Sequence, residues 1–174
     1  MRKSLLLLGV SLMTVSLASS ANAAGHSGQW GLGLLDSSAP VGVFFGVNED
    51  ATLHLGLGFH KYDVPTGTVD LETEFNFLAA LEYDIWTGNQ MGFGVMPALG
   101  FSSMSPNEGD GASNILIGLY LGGHWDPSDA VSFWFHHGLE IDLYSPPVGD
   151  STTEFGTSGV ELGSFGATFW IPGM

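Results

Sequence analysis

The chain of 174 residues contains no cysteine. That excludes a disulfide framework and a lipid anchor on an amino-terminal cysteine. Cations are almost as scarce: Arg2, Lys3 and Lys61 stand against 18 Asp and Glu. With so little to neutralise phosphates, nucleic-acid binding is effectively excluded. Beyond the first 23 residues there is no helical period and no apolar run long enough to cross a membrane as a helix. No linker or shift in composition divides the chain.

What the first residues do contain is ordered. Met1-Arg2-Lys3 is followed by the apolar run Leu5–Val10, continuing to Leu17, and the stretch closes on Ala21-Asn22-Ala23. A charged start, an apolar middle and a small-x-small end predict a cleaved signal peptide over 1–23 and a mature domain over 24–174. Removing it takes Arg2 and Lys3 away and leaves Lys61 as the one cation of the mature chain. A solvated acidic surface accounts for such charge, and divalent cations are the candidate counter-ions.

The segment 68–86, TVDLETEFNFLAALEYDIW, alternates strictly over most of its length. Asp70, Glu72, Glu74, Asn76, Glu82 and Asp84 fall on even positions; Val69, Leu71, Phe75, Phe77, Leu81, Tyr83 and Ile85 fall on odd ones. Period-two alternation is the mark of a strand with two unlike faces. Comparable runs over 28–35, 40–47, 51–62, 90–103, 113–125, 130–144 and 154–171 predict eight strands in all. The connections after the second, fourth and sixth are compact (NED, TGNQ, DPSD), and those after the third, fifth and seventh are longer. Short turns at one end and longer loops at the other describe an outer-membrane barrel. In an up-and-down path Trp30, Trp86, Trp125 and Trp170 lie at the short-turn end, with Tyr62 and Tyr144 at the other, as in two interfacial girdles. Odd positions such as Leu119, Leu121, Phe133 and Phe135 would then meet lipid. Even positions such as His54, Asn114, Tyr120 and Ser132 would fill the lumen. In the last strand Val160 and Leu162 run out of phase with Phe165 and Phe169, which predicts a bulge.

The strand count, loop alternation and aromatic ends resemble the small eight-stranded outer-membrane proteins of the OmpA/OmpX/OmpW-like group over 28–171. The tail Gly166-Ala167-Thr168-Phe169-Trp170-Ile171, followed here by Pro172-Gly173-Met174, looks like the signal read by the barrel-assembly machinery. The resemblance implies an all-β, eight-stranded antiparallel up-and-down transmembrane β-barrel in the outer membrane. Its partners would be outer-membrane lipid and that machinery.

Lumen-parity His54, His60, His124 and His136 with Glu72, Glu74 and Glu140 are the residues whose chemistry suits a metal. No compact ligand spacing such as HExxH accompanies them. The competing reading is an interior polar network in which His donates where Lys and Arg usually would. Carboxylates pointing inward, Glu82 and Asp142 among them, are expected to pair with these histidines and share protons. Ser132, His136 and Glu140 share one face of the seventh strand, the residue types of a lipid A deacylase. Steps of four residues separate them by about 13 Å each, too far for a relay along one strand. No catalytic residue and no cofactor is therefore assigned. The expected role is structural or surface-interacting, the alternatives being a narrow cation-preferring channel and, behind it, a lipid A-modifying enzyme.

Overall fold

The computed structural model describes residues 26–35, 38–62, 72–88, 90–105, 111–157 and 164–171. Among them every regular element is a strand: β1 (Trp30–Leu34), β2 (Val41–Asn48), β3 (Ala51–Tyr62), β4 (Glu72–Gly88), β5 (Met91–Ser105), β6 (Ala112–Ser128), β7 (Val131–Ser145), β8 (Thr152–Thr157) and β9 (Ser164–Ile171). Neighbours in sequence pair antiparallel from β1 to β7. The sheet closes through β9, which pairs with β7 on one side and β1 on the other. The fold is a closed eight-stranded antiparallel barrel with one extra strand, β8, lying along the loop-end half of β7.

One expected strand is thus two. The stretch read as a single strand over 154–171 supplies both β8 and β9, which share β7 as partner at different heights. The bulge expected around Val160 and Leu162 falls outside the described residues. Register shifts occur instead in β2 between Gly46 and Asn48, in β4 between Asp84 and Trp86, and in β6 between Trp125 and Ser128. All three lie at the short-turn end, where an extra residue re-aims the side chains beyond it.

The face assignment from alternation holds along most of the wall, with odd-parity Ala51 and Leu81 buried as exceptions. Leu119 is 52% exposed, Phe135 57% and Phe169 61%, while Gly118, Tyr120, Trp134, His136 and Thr168 on the opposite parity are buried. Trp30, Trp86 and Trp125 stand exposed at the short-turn end and Tyr144 at the other; the side chain of Tyr62 lies outside the described residues. Trp170 departs from the expected girdle. It shares even parity with Thr168 and points inward, 6% exposed, so the alternation of its strand overrides its position at the end.

Inside, the lumen is filled by two apolar layers. Leu35, Phe44, Trp134 and Trp170 form one; Ala80, Met96, Ala98 and Tyr120 form the other, and Leu78 packs against both. Leu35 comes from the connection between β1 and β2. An eight-stranded barrel encloses about as much space as side chains can fill, and here large aromatics occupy it.

Candidate functional site

Below the aromatic layer, at the short-turn end, the lumen opens into a cavity of about 780 Å³. Each short turn fixes a lining residue of the next hairpin through a backbone carbonyl. The Asp50 carbonyl accepts from Asp84 N at 2.8 Å, that of Gln90 from Asp126 N at 2.8 Å, and that of Ala130 from Trp170 N at 2.9 Å. Gln90 holds φ 63°, the left-handed conformation a tight turn requires. These bonds set Asp84, Asp126 and Trp170 around one rim.

His124 is the centre of the first cluster. Its Nε2 lies 3.0 Å from Asp84 Oδ2 and its Nδ1 2.9 Å from Asp126 Oδ2. Carboxylate oxygens only accept, so both ring nitrogens are donors here, the arrangement suited to an imidazolium. The ring crosses from β6 towards β4 over Gly92 of the intervening β5, where a methyl group would collide with the His124 imidazole. Glycine at that point is therefore a condition of the cluster.

Deeper in, Glu82 of β4 bridges two histidines. His54 Nε2 on the adjacent β3 lies 3.0 Å from Oε2, and His136 Nε2 on β7, across the lumen, lies 3.2 Å from Oε1. Both imidazoles are 1% exposed. Phe44 and Trp134 surround the pair, with ring centroids 4.9 and 5.9 Å from that of His54. A carboxylate removed from water in this way is retained only if both oxygens are satisfied, and the two Nε2–H groups supply that. The Nδ1 atoms of His54 and His136 are buried without a hydrogen-bond partner among the described residues.

Ser132 receives 2.7 Å from Trp170 Nε1–H, and its Oγ lies 3.3 Å from His26 Nε2. His26 stacks on Trp170 with ring centroids 4.0 Å apart and 11° between planes. Towards the loops, Tyr120 O–H donates to Glu140 at 2.6 Å, Asn114 Nδ2 to Asp142 at 2.7 Å and Asn76 Nδ2 to Glu74 at 3.0 Å.

Of the candidate metal ligands, His54 and His136 meet at Glu82 and His124 lies apart from them in the vestibule. Glu140 and Glu74 each take a neutral partner. His60 is exposed opposite Glu74 in the ladder, and the side chain of Glu72 lies outside the described residues. Among the described residues no group of three or more His, Asp or Glu is arranged to hold a metal ion. Ser132, His136 and Glu140 each turn to a different partner, Trp170, Glu82 and Tyr120. His26 escaped notice in the sequence because no strand pattern reaches it. Asp126 was findable: it lies two residues from His124, on the same face of an extended chain. Comparison with known proteins gives no matching family model, no matching curated protein and no matching solved structure.

Proposed function

We propose that this protein is an integral barrel of a Gram-negative outer membrane, exported by a cleaved signal peptide and built like the OmpA/OmpX/OmpW-like group. Its role is structural or surface-interacting, without catalysis. The observation that carries the reading is the belt of large apolar side chains on the outside of a closed barrel that buries Glu82, His54 and His136 inside. Leu32, Leu57, Phe77, Leu121 and Leu139 are all exposed on this belt. Water would penalise such a surface, and patches of this extent mark contact with another apolar phase. Hydrocarbon accepts the belt, and closure leaves no unpaired strand edge within it where β1–β9 complete the ring. Exposed Trp30, Trp86 and Trp125 at one rim and Tyr144 at the other match interfacial anchoring. The connection after β7, with Val148 86% exposed, offers contact surface beyond the wall.

The channel reading has less support. An acidic vestibule prefers cations, but two packed apolar clusters occupy the narrow lumen. The deciding experiment is fractionation: the protein should stay with outer membranes through a carbonate wash and dissolve in detergent. Recovery in the soluble periplasmic fraction would refute the reading.

A further inference from the structure

The outward positions of β5, β6 and β7 line up across the wall in seven rows. They run from Met91–Trp125–Phe133 at the short-turn end to Ser103–Ser113–Ser145 at the loop end. The row of serines marks where the apolar belt stops on these strands. Between the two end rows one side chain alone is not apolar: His137, beside Leu121 in the third row. It is exposed, and it has no hydrogen-bond partner among the described residues. Four residues separate it from Phe133 and eight from Ser145, about 13 Å and 26 Å along the strand. An imidazole on two rotatable bonds reaches neither rim. When neutral, its ring carries one donor and one acceptor. Hydrocarbon satisfies neither, which makes the position costly. An ionisable residue at such depth marks a contact with something other than lipid.

The row next to it, towards the short turns, departs from the belt in a second way. Gly123 stands there between Phe93 and Phe135. With no side chain at that point, the wall carries a groove of about 330 Å³ whose sides include Trp125, Phe135 and Phe165. Phe135 and Phe165 are paired in the ladder and project from the same row, 57% and 72% exposed. One patch therefore holds a hollow, two projecting rings and a side chain that can both donate and accept.

We propose that this face, centred on Gly123, Phe135 and His137, is where a second copy of the chain docks within the membrane. The inference rests on the outer-membrane reading. All copies insert with the same end outward, so a two-fold axis relating two of them runs along the membrane normal. Every residue then lies at the depth of its own mate. His137 meets His137, where one imidazole donates and the other accepts. The hollow at Gly123 meets the rings of Phe135 and Phe165 at its own level. Lipid chains can fill the hollow, but they give the imidazole nothing. Between two lipid-facing surfaces the hydrophobic effect supplies no drive, so close packing at a small residue and a hydrogen bond between polar side chains decide association.

The test uses the chain purified in detergent from outer membranes and sedimentation equilibrium in density-matched micelles. The parent chain should show a monomer–dimer equilibrium. His137→Leu should raise its dissociation constant about tenfold, the change expected for one hydrogen bond. His137→Gln, whose amide keeps a donor and an acceptor, should stay near the parent. The His137→Leu barrel should fold at least as well as the parent, since leucine suits lipid, so its weaker association is not unfolding. The chain has no cysteine, so Leu121→Cys and Leu57→Cys each introduce a single thiol. In membranes a short bismaleimide should join two copies of the Leu121→Cys variant and leave the Leu57→Cys variant, altered on β3, as monomer. A parent that is monomeric at every concentration overturns the proposal, as does a dimer indifferent to His137→Leu or weakened equally by His137→Gln. Equal cross-linking of both thiol variants also overturns it. So does an adduct of the Leu121→Cys variant with a different protein and none with itself. Recovery outside the outer membrane is a separate readout and defeats the reading beneath it.

Discussion

Glu82 sits between two imidazoles that reach it from different sides of the lumen, His54 beside it on β3 and His136 opposite on β7. Removing the carboxylate alone leaves two buried Nε2–H groups without an acceptor, and breaking such an arrangement from one side typically costs about 3–5 kcal/mol. Glu82→Leu should therefore lower the unfolding free energy of the refolded barrel, read from its urea titration, by that order. Replacing Glu82, His54 and His136 together by apolar residues of similar volume should recover most of the loss, because no orphaned polar group then remains. A triple variant as unstable as the single one would show that the bridge itself holds the lumen together. Trp170→Phe is a milder probe. It keeps an apolar ring beside His26 but deletes the donor to Ser132, for an expected loss of about 0.5–1.5 kcal/mol.

At the level of the strand, the two parities of β6 give opposite tests one residue apart. Leu119 faces outward, and Leu119→Arg near mid-strand should cost about 2–4 kcal/mol when unfolding is measured in bilayers. In detergent-free refolding the same variant should also insert more slowly. Gly118 faces the lumen, and a Cβ there would collide with the Tyr120 side chain. Tyr120 is held by its bond to Glu140, so Gly118→Ala must displace a buried, hydrogen-bonded ring. A loss of about 1–3 kcal/mol is expected. Combining it with Tyr120→Phe, which frees the ring from Glu140, should make the glycine substitution cheaper. Additive losses would mean that the ring is not what crowds the site.

For the whole barrel, the two packed layers decide what passes through. Phe44, Trp134 and Trp170 pack together inside the lumen, and with the second cluster filling it the protein in planar bilayers should show no stepwise conductance. Truncating Phe44 and Trp134 to Ala together empties much of one layer, and discrete steps that favour cations over anions should then appear, since the vestibule beneath is lined with carboxylates. Conductance in the unaltered protein would revive the channel reading.

Strand alternation is a local property: successive side chains of an extended backbone point to opposite sides whatever lies beyond. That is why residues 68–86 already revealed a wall with an apolar and a polar face, and why Leu119 and Gly118 were assigned to their faces from sequence. Loop lengths are likewise written in runs of neighbouring residues. Parity also contained the true direction of Trp170, but its place at the end of a strand suggested a girdle instead. What no local pattern holds is the partner across the lumen. Glu82 and His136 are 54 positions apart, and they meet only because closing the ring brings β4 opposite β7. The same closure stacks Leu35, Phe44, Trp134 and Trp170, from four separate segments, into one layer. Only the tertiary structure divided the final stretch between β8 and β9, since both lie along β7 and the sequence offers each a plausible period. The faces follow from the geometry of one strand; the contacts inside follow from the circumference of eight.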